Sequence, residues 1–297
     1  METIETILGK EISVEEANLD CSHSKNKSTF DHGIFGIFGR SSKLYPFKYF
    51  FGVEIENSSG NQISPDVYKL GLSLNKKTDG SITGREYTTG ILSGDAGMLE
   101  LQKIVALMKP HEYENNAGTH VHMSGVVANT KIDLPWLITV LWKTVGDIRE
   151  RIVSAERLNA SYVNHPSMDT FVRNIYALTK PLLGNTYHVF HDRKSFRITR
   201  SMNLANNDIP ISTTIEFRLL EGTSNFDRLY NAIMLYSVIL DYFENTRERI
   251  RPYVFGNPTP DTTAKILLEK CPSIDAMISE CKKLNNSMKS KLLMFIG

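Results

Sequence analysis

The chain is poor in the features that announce the commoner protein classes. It has three cysteines, Cys21, Cys271 and Cys281, odd in number, far apart and without a CxxC spacing. That argues against a disulfide framework or a zinc knuckle and fits a reducing compartment, although Cys271 and Cys281 are close enough in sequence to pair in principle. Charge of one sign is also missing. The 34 basic and 33 acidic residues leave a net charge of +1, which gives no footing for nucleic-acid or membrane-surface binding. The longest apolar stretches, such as Ile233–Leu240, fall well short of a membrane span. The start of the sequence is acidic (Glu2, Glu5, Glu11, Glu15, Glu16) rather than basic and then apolar, so no secretion signal is expected there. These absences together point to a cytoplasmic protein, with a viral or particle-associated place also open. Neither a Walker motif, a GxGxxG fingerprint nor a GxSxG elbow occurs, and the common nucleotide folds and α/β-hydrolases gain no support.

What is present is a sequence of ordinary globular composition, with 41% apolar and 23% charged residues, enough for a sizeable core. Residues 1–45 are polar, then punctuated by glycine, and read as an N-terminal extension. Residues 46–225 read as the core and 226–297 as a helical region packed on it. Within the core, strands are expected near 49–57, 67–75, 85–89, 118–124, 186–191, 196–203 and 212–220. Helices are expected at 97–108, closed by Pro110, at 134–156 with Asp133 as N-cap and Pro135 in the first turn, and at 168–179. A long amphipathic helix over 226–249 and shorter ones within 261–295 follow. Strands with inserted helices and then a helical tail give an α+β class with a mainly antiparallel sheet.

Three of the expected strands carry one pattern. Glu54-Ile55-Glu56, His120-Val121-His122 and Glu216-Phe217-Arg218 each place two ionisable groups at i and i+2, hence on one face, with an apolar residue pointing the other way. Side by side they would form a wall of carboxylates, imidazoles and a guanidinium over an apolar underside. Glu54 and Glu56 repel unless a cation or basic group lies between them, although a polar solvent-facing stripe has the same spelling. His120 and His122 can ligate a transition metal or, protonated, meet a phosphate. Glu216 and Arg218 combine a hard oxygen ligand with a phosphate donor, or form a plain in-strand ion pair. Arg157, Arg200 and Asn203 are candidate clamps for an anionic substrate. Glu86 follows the turn Asp79-Gly80-Ser81 at the start of a strand able to lie beside the first, and Ser124 closes the histidine strand.

In order and wording these pieces resemble the amidoligase family, a branch of the carboxylate–amine ligase superfamily that contains glutamine synthetase and glutamate–cysteine ligase. The resemblance runs through Phe51-Gly52-Val53-Glu54-Ile55-Glu56, Asp79-Gly80-Ser81 with Glu86, and Gly118-Thr119-His120-Val121-His122-Met123-Ser124. It continues through Arg157 with Tyr162, Arg200 with Asn203 and Leu204, and Thr214–Thr223, so it covers about residues 50–225. The stretch from Lys109 to Ser124 is also similar to the ATP-region motif of glutamine synthetases, departing from it at Asn116. The resemblance implies a curved antiparallel, glutamine-synthetase-like sheet, with helices on one face and ATP and Mg2+ or Mn2+ on its concave face. It makes Glu54, Glu56, Glu86, His120 and Glu216 metal or phosphate ligands, and Arg218 the group that meets the transferred phosphoryl. Arg157 and Arg200 become substrate or phosphate clamps, while His120, His122, Ser124, Arg157 and Asn203 line the nucleotide site. His122 has no firm counterpart. The implied activity is ATP-dependent joining of a small-molecule or peptide carboxylate to an amine. A phosphotransferase on the same sheet, or a structural protein that kept the fold, are the alternatives.

Overall fold

A computed structural model of the chain describes residues 3–5, 11–13, 44–57, 72, 74–77, 85–108, 117–126, 133–159, 163–179, 195–198, 214–255 and 259–297. Their contacts group the chain into two units, one of residues 1–125 and 214–234, the other of 126–213 and 235–297.

In the first unit, short strands β1 (Thr3–Glu5) and β2 (Glu11–Ser13) pair antiparallel. The main sheet is antiparallel throughout and open. It is built from β3 (Phe50–Asn57), β4 (Leu74–Lys77), β5 (Arg85–Thr89), β6 (Leu92–Ser93) and β7 (Gly118–Ser124). With β8 (Phe196–Ile198) assigned to the second unit, the remaining strand here is β9 (Ile215–Glu221). The order is β4-β5-β3-β7-β9, with β6 also on β3. Central β3 alternates apolar and ionisable residues. Phe51, Val53 and Ile55 are at most 2% exposed on one face, joined there by Tyr87, Val121, Met123 and Phe217. Burying that continuous apolar layer fixes the register, because a slip of one residue would turn every carboxylate inward. Helix α1 (Gly94–Leu107) follows β6 and buries Met98, Leu101, Ile104 and Val105, the expected stripe.

Apart from β8, the described elements of the second unit are helices. They include α2 (Leu134–Ile152), α3 (Ala155–Leu158) and α4 (Met168–Thr179). Helix α5 (Phe226–Phe255) enters from the first unit, and α6 (Pro260–Lys270), α7 (Ile274–Glu280) and α8 (Asn286–Phe295) follow it. The single helix expected over 134–156 is two: it stops at Val153, and the Ser154 side chain accepts the Arg157 N–H to start α3. Asp133 precedes α2 but makes no side-chain cap. Its carboxylate accepts from Arg251 instead, at 2.9 and 3.1 Å, which outweighs a local cap. Helix α5 runs on to Phe255, past the expected end, through Pro252. Cys271 and Cys281 are both buried and free. Among the described residues, no helix is long and apolar enough to cross a membrane. The expected strand 186–191 and most of 67–75 and 196–203 lie outside the described residues.

Candidate functional site

The register of β3, β5, β7 and β9 brings the ionisable residues of four strands to one face. Glu54 lies opposite His120, Gly52 opposite His122, Glu56 opposite Glu86, and His122 opposite Glu216. Directly opposed residues of an antiparallel pair share a face, so Glu54, Glu56, Glu86, His120, His122 and Glu216 do. The pairing of β7 with β9 shifts between Thr119 and Val121, whose partners are Leu220 and Phe217. Two residues of β9, Arg218 and Leu219, therefore oppose the single residue His120. This is a β-bulge, which locally re-aims a side chain. Here it delivers the Arg218 guanidinium to within 3.4 Å of His120 Nδ1 and into an ion pair with Glu216.

The cluster is almost dry. Glu216 is 0% exposed, His122 1%, His120 2%, Glu56 5%, and Glu54 and Arg218 8% each. His120 Nδ1 lies 2.8 Å from Glu54 Oε1 and 3.5 Å from Glu216 Oε1. The short contact points Nδ1–H of His120 at the Glu54 carboxylate and sets Nε2 3.9 Å from Glu56 Oε1. Glu56 is held from behind, its Oε2 accepting the Gly118 N–H at 2.5 Å. Burial alone would push the Glu54 carboxyl up, but the charge and hydrogen bond of His120, then the neighbouring His122, hold it well below the usual carboxylate range.

Glu54, Glu56 and His120 each offer a donor atom, all within 4.8 Å of one another, the spacing of ligands round one ion. The chemistry of the set fits a divalent cation. Among the described side chains, four buried carboxylates (Glu54, Glu56, Glu86, Glu216) converge on the face with His120, His122 and the Arg218 guanidinium, and a carboxylate and imidazole donor set of that kind suits a cation. Arg218 Nε is buried with no hydrogen-bond partner among the described residues, so that guanidinium retains an unused donor.

Ser124 lies further along β7 opposite Phe50 and is 8% exposed. Arg157 is buried in α3 of the second unit. Arg200, Asn203 and the Asp79-Gly80-Ser81 turn lie outside the described residues. Two threonines of the first unit escaped the sequence reading. Thr88 sits opposite Glu54 with its hydroxyl buried and without a hydrogen-bond partner among the described residues, and Thr214 lies 3.4 Å from His122 Nδ1. Thr88 is two residues from Glu86, so the same i, i+2 rule could have found it; nothing local marks Thr214.

A cavity of about 570 Å3 in the second unit is lined by Trp142, Asp147, Glu150, His165 and Leu268, among others. The basic groups beside it are already engaged. Lys143 donates to the carbonyls of Leu268 and Cys271, Arg149 to those of Val163 and Leu158, and Arg151 to Asp275. It presents no converging set of donors comparable to the sheet.

No protein-family model matches the chain, and no curated protein matches it in sequence. Among solved structures, a protein described as a novel glutamine synthase homolog aligns with a TM-score of 0.39 and 12% identity. The match covers 83% of this chain but only 66% of the length of that one. A likeness at that level carries no argument, and the reading below rests on the residues.

Proposed function

We propose that this protein is an ATP-dependent carboxylate–amine ligase of the amidoligase type. It would join a small-molecule or peptide acid to an amine on the ionisable face of a glutamine-synthetase-like sheet. One observation carries the reading: residues far apart in sequence, picked out by one strand pattern, meet on a single buried face as carboxylates and imidazole beside one arginine.

The chemistry asks for such a face. A carboxylate is a poor electrophile with no leaving group, so direct attack by an amine in water goes uphill. Transfer of the γ-phosphoryl of ATP to the carboxylate oxygen gives a mixed anhydride and ADP. The amine then forms the C–N bond as phosphate leaves and the nitrogen loses a proton. The protein's contribution to such steps is positioning and charge stabilisation. Glu54, Glu56, Glu86, His120 and Glu216 are the groups to hold Mg2+ or Mn2+. When bound, that ion neutralises phosphate charge so that an anionic acid can approach. Arg218, aimed by the bulge and with Nε unspent, is placed to bind the phosphoryl oxygens as charge moves. Glu216 orients Arg218, and Glu54 fixes the His120 tautomer. Arg157, Arg200, Asn203 and Ser124 are assigned to substrate and nucleotide on the resemblance alone.

A second reading has its own observation. Arg218 is ion-paired with Glu216 and His120 with Glu54, pairs that a structural protein would also retain after losing turnover. The test is ADP release with Mg2+ across mixed acids and amines, followed by product mass. Amide with stoichiometric phosphate supports the ligase. ADP with a stable phosphorylated acid would make the protein a phosphotransferase, and no nucleotide binding at all would leave the structural reading.

A further inference from the structure

Strand β5 carries two neighbouring threonines whose hydroxyls are treated differently. Thr89 is buried and engaged: its Oγ1 accepts the Val53 N–H and donates to the Gly90 carbonyl, each at 2.9 Å. Thr88 is only 1% exposed, and its Oγ1 is buried without a hydrogen-bond partner among the described residues. A buried hydroxyl in that state destabilises a fold, whereas valine has the same outline, suits a strand as well and carries no such penalty. Packing therefore does not account for a threonine here. Its position does. Thr88 lies directly opposite Glu54, so it stands on the ionisable face, on the flank of Glu54 away from β7. Both histidine contacts of Glu54, at 2.8 and 3.4 Å, come from β7. Imidazoles thus approach the carboxylate from one side, and a hydroxyl with an unspent donor stands on the other.

We propose that Thr88 is a nucleotide-binding residue, its hydroxyl donating to a non-transferred phosphate oxygen of ATP on the far side of the cation site from Arg218. The inference rests on the reading of this face as a metal–nucleotide site. Across the sheet the row runs from Thr88 on β5 through Glu54 on β3 and His120 on β7 to Arg218 on β9. The guanidinium leans back over β7, within 3.4 Å of His120, and β7 is two strand spacings, about 10 Å, from β5. The converging donors of Glu54, Glu56 and His120 lie between these ends. A phosphate chain crossing that stretch meets carboxylates, which only accept, and so needs donors at its two ends. Arg218 serves the end where charge moves. A neutral hydroxyl serves the end where charge stays constant, and its hydrogen bond is the same with ATP as with ADP.

The experiment is calorimetry on the full chain, comparing wild type, Thr88→Val and Thr88→Ser, titrated with Mn2+ alone and then with ATP and with ADP in saturating Mn2+. Thr88→Val should weaken both nucleotides alike, by about 10- to 100-fold, the loss of a hydrogen bond to a charged group. Mn2+ alone should bind it as it binds wild type, and Thr88→Ser, which keeps the hydroxyl, should restore most of the nucleotide affinity. In EDTA without nucleotide, Thr88→Val should melt about 2–4 °C higher than wild type, because a buried donor without a partner has been removed. A hydroxyl kept for the fold predicts the reverse, so a lower melting temperature, or failure of Thr88→Val to fold, overturns the assignment. Weaker binding of Mn2+ alone would give the hydroxyl to the hydrated ion, and loss of ATP but not ADP would give it to the transferred phosphoryl; either result also overturns it. Nucleotide binding by wild type that is unchanged in Thr88→Val removes this inference and leaves the ligase reading intact. A wild type that takes up Mn2+ but neither nucleotide removes both.

Discussion

The two units treat buried charge in opposite ways. Among the described residues of the helical unit, the buried carboxylates Asp133 and Asp241 each have a cation beside them. Asp133, 1% exposed, accepts from Arg251 and lies 3.8 Å from Arg247; Asp241 receives Lys283 at 2.6 Å and the Asn245 amide at 3.0 Å. On the ionisable face of the sheet, the contacts among the described side chains join carboxylates to Arg218 and to two imidazoles. Pairs that close on themselves hold helices together. A set of carboxylate and imidazole donors that converge in a dry place offers a cation from outside its ligands. The comparison is why the proposed site is put on the sheet, where donor atoms converge, and not among the closed pairs of the helices.

The largest effect expected from breaking this contrast is at Arg218. Arg218→Lys keeps the charge but loses the fork, so turnover should fall by about 10²–10³ while the fold and most nucleotide binding persist. ADP release by wild type and variant on any productive acid–amine pair measures it, and equal rates would take Arg218 out of the mechanism.

Next is the histidine of the other unit. His165 is desolvated and lies near Arg149, which together push its pKa down to about 4 from 6.5. A histidine that resists protonation when folded leaves the unfolded chain binding the extra proton between those values. Its stabilising contribution is therefore complete above 6.5 and is lost as pH falls toward 4. The loss should amount to about 2–3 kcal/mol. Urea unfolding at neutral pH and at pH 4 should show a steeper decline for wild type than for His165→Gln; parallel declines would contradict the neutral, buried assignment.

A matched pair of charge removals sharpens the comparison further. Asp133→Asn strips two arginines of their counter-ion and should cost about 1–3 kcal/mol. Glu56→Gln retains an acceptor for the Gly118 N–H and relieves repulsion, so without metal it should raise Tm by about 2–4 °C, the shift of ~1 kcal/mol in a protein of this size. Thermal melts in EDTA would show opposite signs; destabilisation by both changes would mean the sheet carboxylates are as well matched as the helical ones. The smallest effect belongs to the Arg151–Asp275 pair, bidentate but with side chains 36% and 42% exposed. Arg151→Ala should change stability by about 1 kcal/mol or less, read from the same melts, and a larger loss would revise its place as a surface pair.

How much of this was legible depended on the range of the interactions involved. Strands β3, β7 and β9 could be read because a buried apolar layer forces alternation, and alternation alone puts Glu54, Glu56, His120, His122 and Glu216 on matching faces. Helix α4 was likewise legible from its own periodicity, matching 168–179. The bulge at Arg218 and Leu219 was not, since a register shift is decided by the neighbouring strand. Asp133 misled for the same reason: it has a capping residue's identity and position, and two arginines more than a hundred residues away claim its side chain. The break at Val153 was hidden because the apolar period continues across it, whereas Ser154, a good capping residue, was a readable start signal that the periodicity masked.

The central claim is that the ionisable face of the sheet binds nucleotide through a divalent cation, and calorimetry of ATP binding tests it most directly. Wild type with Mg2+ or Mn2+ should give a saturable isotherm that disappears in EDTA and is strongly weakened by Glu54→Ala and by Glu216→Ala, each variant being checked for its fold by circular dichroism. Unchanged binding of the metal–ATP complex in both folded variants, or binding by the wild type that ignores EDTA, would contradict the account and return these residues to a structural role.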